Sequence, residues 1–280
     1  MTTSTSTVQP GRHLAGRLNR RATTSGKVRG AAGTLLTLAG WEAAARTGLV
    51  DSRFLPPPSG VLPRAAALLT DQLFLREALA ATVLAWLAGL AAAAAIAIPL
   101  GAVLGAAPAV ERAVRPVIEV LRPIPAVALL PVVILAFGID ARARTVLVAF
   151  AATWPILLNT IAGVRACEPE LLDIARVHGH SRASILTRVR LPAAAPLIAT
   201  GLRISASIAL IATISLELVT GTDDGLGGYL YLVAAGGDST DTALAVAVLA
   251  GLLGLTINTA ATATERAAFS WHPSQHRSRS

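Results

Sequence analysis

Three stretches of this chain, residues 78–110, 145–164 and 242–264, contain no charged side chain. Each is long enough for a helix rising ~1.5 Å per residue to cross the ~30 Å hydrocarbon core of a bilayer. Only 14% of the 280 residues are Asp, Glu, Lys or Arg, where a soluble domain of this size carries roughly a quarter. The chain is therefore read as an all-α polytopic membrane protein. Within lipid, backbone groups freed by Pro99 must be satisfied by neighbouring helices, and Gly89, Gly101 and Gly105 let those helices approach closely. A helical bundle is implied.

About six transmembrane helices are predicted, near 31–50, 78–107, 116–138, 145–164, 193–220 and 242–264. Residues 1–30 hold six basic residues and no acidic one, and are expected to be a disordered basic arm; residues 266–280 form a polar tail. Glu42 and Arg46, four apart in the first span, share a helix face and are placed to pair. Leu55-Pro56-Pro57-Pro58 is a stiff loop, and residues 61–77 read as an amphipathic interfacial helix. Pro116, Pro123, Pro125 and Pro131 must kink or interrupt the third span. Six spans put both termini on one side. With that side inward, the inner segments carry seventeen Lys and Arg and the outer ones five, while residues 221–241 hold four Asp and no base. Basic residues are retained in the cytoplasm, so both termini are expected there, in a multi-pass protein of the inner or plasma membrane.

Several chemistries are set aside on residue content. Cys167 is the single cysteine, which rules out an intramolecular disulfide or an all-cysteine metal site. His178 and His180 lack the i, i+4 spacing of a helical metal pair, and no metal site is expected. The one lysine, Lys27, is followed by Val28 rather than by the Ser or Thr of a phosphate-binding loop. The chain is thus expected to be no enzyme and to bind no cofactor, and any ATP would be used by a separate subunit. No nucleic-acid partner is expected; the bilayer is.

The longest inner loop, 165–192, has structure of its own. It runs from Pro169 through a helical stretch, breaks at Gly179, restarts after Ser181 as a helix cap, and enters the fifth span at Leu191-Pro192. A basic helix–Gly–helix of this kind suits either a headgroup surface or a partner protein. The spacing of Asp173-Ile174-Ala175, Gly179, Val189 and Leu191-Pro192 resembles the cytoplasmic "EAA" loop of binding-protein-dependent ABC importer permeases. Every interval of that pattern is matched, with Asp173 standing for its Glu and Ile174 for its first Ala. Leu55-Pro56-Pro57-Pro58, Arg122-Pro123-Ile124-Pro125-Ala126, Phe137-Gly138-Ile139, Asn159-Thr160, Gly201-Leu202-Arg203 and Gly225-Leu226-Gly227-Gly228-Tyr229 look like the nitrate/sulfonate/taurine branch of that family, so the resemblance covers residues ~40–265.

The resemblance implies the type I ABC importer permease fold and an ATP-driven importer moving a small solute, such as an aliphatic sulfonate, taurine or nitrate-like anion. Its partners would be a dimer of cytoplasmic ATP-binding subunits, an extracytoplasmic solute-binding protein and a second permease copy, as a homodimer. Asp173, Ala175, Gly179, Val189, Leu191 and Pro192 would form the ATPase-coupling loop. Gly179 permits a sharp turn or a close backbone approach. Asp173 is placed to receive an Arg from the partner, to cap a local amide, or simply to meet solvent.

The translocation path is less legible. Thr153 and Asn159 in the fourth span, with Arg203, Ser207 and Glu217 in the fifth, are polar positions unusual for a lipid-facing surface. Two readings of Glu217 stand: a functional intramembrane carboxylate, or a group meeting water at the outer end of its span. Arg203 either attracts an anion or anchors at the interface. The rival function is a secondary transporter coupled to a proton or sodium gradient through Glu217, but it predicts an internal repeat that the sequence does not display.

Overall fold

In a computed structural model of the chain, residues 12–138, 140–236 and 240–269 are described, with side chains from residue 29 onward. Every regular element among them is helical. They fall into two compact units divided after Arg64.

The first unit is built on α1 (Arg12–Arg46). No proline lies between residues 11 and 55, and the Arg-, Ala- and Leu-rich sequence favours helix. The helix therefore runs through most of the segment expected to be a disordered arm; residues 1–11 lie outside the described residues. Near its end, the Glu42 carboxylate accepts hydrogen bonds from Arg46 Nε, from the Ser59 amide at 3.1 Å and from the Ser59 hydroxyl at 2.8 Å. The expected pair forms, and it also pins the Pro-rich loop back onto α1. Because Glu42 and Arg46 interrupt its apolar half, α1 is not apolar enough to count among the candidate membrane spans. Among the described residues four helices qualify by length and composition, or five if one bent pair is a single span, where about six were expected.

The amphipathic helix expected over 61–77 is two pieces. Helix α2 (Pro58–Leu68) stops, the chain turns at residues 69–70, and Asp71 Oδ1 accepts from the Leu73 amide at 2.9 Å. A π-helical turn (Phe74–Leu79) then leads into α3 (Ala80–Ala106).

In the second unit α3, α6 (Ala141–Arg165) and α9 (Leu191–Thr220) pack into the core. Along α3 the buried Gly89, Ala93, Ala97, Gly101 and Gly105 recur every four residues, a continuous stripe of small side chains. A Cβ at Gly101 would lie 2.7 Å from Thr160 Cβ, and one at Gly105 2.8 Å from Val164 Cβ. So α6 rests on the α3 backbone, the close approach that drives helix association where water exclusion cannot. Leu147, Ile156, Leu157 and Leu216 fill the remaining interior. Helix α4 (Pro108–Leu121) and α5 (Leu130–Phe137), with a 3₁₀ turn (Ala126–Leu129) before α5, are bent by 85°. Pro123 and Pro125 lie at the break, whereas Pro116 sits inside α4 and Pro131 in the first turn of α5. The buried Glu111 of α4 pairs with Arg165 of α6 at 2.9 Å.

The segment expected to be an acidic loop after the fifth span instead contains α10 (Gly225–Ala235), which packs back on α9. Helix α11 (Thr240–Ala268) follows; only its first half is buried, through Thr242, Ala245, Val246 and Leu249.

Candidate functional site

Between α6 and α9 the chain forms α7 (Pro169–Val177), a turn, and α8 (Arg182–Ile185), which continues through a π-helical turn (Leu186–Arg190) into α9. Pro169 starts α7, where its missing N–H costs nothing. The end of α7 is a Schellman turn: His180 N–H donates to the Ala175 carbonyl at 3.1 Å and Gly179 N–H to the Arg176 carbonyl at 2.9 Å. Gly179 has φ +75°, a left-handed conformation that other residues rarely adopt, and a Cβ there would meet nothing within 4 Å. Within the subunit Gly179 is therefore fixed by the turn, not by a close backbone approach. Ser181 Oγ accepts from the Ser184 amide at 3.3 Å, capping α8.

The other loop residues divide between anchor and surface. Ala175 is buried, Val189 half-buried in the π turn, and Leu191 packs on a small cluster of Ala102, Val164, Ala194 and Ile198. Pro192 lies in the first turn of α9. Asp173 pairs with Arg176 one turn on, at 2.7 Å, and both side chains are exposed. Leu171, Ile174 and Val177 are 44%, 56% and 86% exposed. At spacing i, i+3, i+6 they line one side of α7, leaving three bare aliphatic side chains on one face of a short helix.

The polar residues suggested for a path are scattered. Thr153 and Asn159 donate to carbonyls one turn back in α6, those of Ala149 at 2.7 Å and Pro155 at 2.8 Å. Ser207 is half-buried. Arg203 Nε lies 3.4 Å from Glu265 of α11, whose other oxygen accepts from the Thr200 hydroxyl at 2.8 Å.

Glu217 is fully buried. Its carboxylate accepts from the Thr82 hydroxyl at 2.8 Å and the Gly227 amide at 3.1 Å, and faces Arg144 Nη1 at 3.5 Å. Thr82 Oγ in turn accepts from the Leu226 amide at 2.7 Å, and Arg144 also holds Asp224 at 3.0 Å. The first amides of α10 are thus satisfied by α3 and α9 side chains, a charged cap for a helix N-terminus. Gly225 and Gly227 make room, since a Cβ on either would overlap Glu217. Glu217 is a clasp between α3, α6, α9 and α10, closed off from solvent within the subunit. Sequence reasoning missed Thr82, Arg144 and Asp224; the usable signal was one cation and one carboxylate, Arg144 and Glu217, at the same end of successive spans.

Comparisons with known proteins agree with this architecture. A chain of the MetNI methionine ABC transporter, solved in inward-facing conformations, superposes with a TM-score of 0.61 over 70% of this chain and 95% of that one, at 22% identity, which establishes the fold. The taurine transport system permease protein TauC of Escherichia coli (strain K12) is 32% identical over 249 residues, 87% of this chain and 88% of TauC. The putative aliphatic sulfonates transport permease protein SsuC of the same organism is 35% identical over 59% of this chain and 62% of its own. The nitrate import permease protein NrtB of Leptolyngbya laminosa is 33% identical over 58% of this chain and 57% of its own. Residues 97–268, from the middle of α3 to the end of α11, match the family profile described as binding-protein-dependent transport system inner membrane component. With most of the core helices and the whole α7–α8 element inside that match, the chain belongs to the family of binding-protein-dependent transport system inner membrane components.

Proposed function

We propose that this membrane subunit of an ATP-driven importer passes a small anion of the sulfonate, taurine or nitrate kind, and that its α7–Gly179–α8 element docks into a separate ATP-binding subunit. The observation that carries the reading is the exposed apolar face of Leu171, Ile174 and Val177, on a short helix whose flanks continue into the core helices α6 and α9. The names of the relatives support the substrate class. In this reading both termini are cytoplasmic, consistent with the seventeen-to-five charge asymmetry. A solute-binding protein delivers the anion on the opposite side, and a second copy of the chain completes the passage. ATP is hydrolysed on the partner, and the permease holds no cofactor. Coupling to an ion gradient through Glu217 loses its support, because that carboxylate is enclosed.

The test is reconstitution in vesicles with the ATP-binding subunit and the binding protein. Uptake of labelled taurine, alkanesulfonate or nitrate should require ATP and survive collapse of proton and sodium gradients. Gly179→Arg meets no neighbour within the subunit but strains the turn, so the variant should insert normally and lose both ATPase co-purification and uptake. Gradient-driven uptake without ATP, or full transport by Gly179→Arg, would overturn the reading.

A further inference from the structure

At the α7 end of the second unit, a cavity of about 670 Å³ lies between the last turn of α3 and the α7–α8 segment. Its walls are of two kinds. Val103, Ala106 and Ile185 supply apolar surface, whereas Arg176, Arg182 and Arg190 bring three guanidinium groups. Arg176 is balanced by Asp173. Arg182 and Arg190 pair with no carboxylate among the described residues, and Arg190 Nε is closed off from solvent without a hydrogen-bond acceptor. The neighbouring carboxylate Glu111 is already taken by Arg165. Two cations sharing a cavity, one with an orphaned donor, suit an anion.

The apolar wall narrows the choice of anion. Val103, half exposed, and Ala106 end an uncharged membrane span, so the cavity opens where hydrocarbon gives way to headgroups. Basic pockets at that level take anionic lipid headgroups. We propose that this cavity binds an anionic phospholipid, its phosphodiester held by Arg182 and Arg190 and its acyl chains lying along the Val103 side of α3. The docking face of α7 and the lipid site at its base are then separate surfaces of one loop. Its basic residues serve the bilayer and its aliphatic residues serve the partner protein.

The experiment is native mass spectrometry of the detergent-solubilised full-length chain titrated with phosphatidylglycerol or phosphatidylcholine. One phosphatidylglycerol per chain should be retained, with at least tenfold preference over phosphatidylcholine. Arg182→Gln/Arg190→Gln should lower that retention at least tenfold. Arg112→Gln/Arg122→Gln, which removes two exposed charges, should leave it within twofold. Equal retention of both lipids, or equal loss in both double variants, would overturn the site. Displacement by millimolar inorganic phosphate beyond that caused by sodium chloride of equal ionic strength would assign it to free phosphate and overturn the lipid. In a parallel co-purification with the ATP-binding subunit, loss of that subunit from Arg182→Gln/Arg190→Gln with lipid retention unchanged would place a protein carboxylate there and overturn the lipid. Arg182 is exposed, so Arg182→Gln alone decides the matter if the double variant does not fold: at least threefold loss is expected, and wild-type retention refutes the assignment.

Discussion

Replacing Leu171, Ile174 and Val177 together by Ala isolates the docking face from everything else the loop does. The three expose nearly two residues' worth of aliphatic surface between them, at 44%, 56% and 86%. Full burial of one such side chain stabilises by about 2 kcal/mol. A partner groove that closes over the whole face therefore gains at most about 4 kcal/mol from it, roughly a thousandfold in Kd. Ile174→Ala alone should cost about 1 kcal/mol, near fivefold. The subunit itself should not suffer, because exposed positions typically contribute within about 0.5 kcal/mol and Ala is the strongest helix former. The measurement is a titration of the nanodisc-embedded permease with fluorescent ATP-binding subunit, alongside a melting curve of each variant. The triple variant should bind tenfold to a thousandfold more weakly at an unchanged melting temperature. A Kd within twofold of wild type would refute the assignment of this face as the contact.

Two further outcomes test other parts of the structure. Glu217→Ala leaves Arg144, the Thr82 hydroxyl and the Gly227 amide without their shared acceptor, a loss on the order of 3 kcal/mol; the melting temperature in detergent should fall by several degrees, less for Glu217→Gln, and an unchanged value would mean that the carboxylate is not a clasp. Cys167 is buried and makes a slow reporter, so sidedness is better read from Val177→Cys in a Cys167→Ala background. That thiol, at a position 86% exposed, should react with impermeant maleimide in inverted vesicles, be protected by the docked ATP-binding subunit, and stay unlabelled in spheroplasts. Labelling from outside would reverse the orientation.

The spans were legible because a lipid-facing helix must be apolar over its whole length, and α3, α6 and α11 are uncharged over most of theirs. The α7–α8 turn was legible because backbone stereochemistry ties Gly179 and Ser181 to fixed places in it. Helix α10 was hidden: eleven residues are too short to cross a bilayer, and Asp223 and Asp224 beside them suggested an open loop. Its clasp was hidden for a different reason. Thr82 and Glu217 are 135 positions apart, and nothing local to either records the other. That separation is why Glu217 looked like a candidate for ion coupling: a carboxylate within a span is conspicuous, whereas the hydroxyl and amides that satisfy it are not. The donors of Thr153 and Asn159 in α6 are likewise met by carbonyls of their own helix, which composition alone does not reveal.

The stripe of small residues on α3 has a mechanical consequence. Where Gly101 and Gly105 meet Thr160 and Val164, helix backbone bears on side-chain stubs, with no long rotatable groups to absorb displacement by changing rotamer. Such a joint is stiff and nearly free of backlash. Helix α7 hangs from the end of α6 by three residues, 166–168, and α8 runs through a π turn into α9 without a break. On the proposed docking, displacement of α7 would therefore pass into α6 rather than into a flexible hinge, and α6 would carry the closely packed α3 with it.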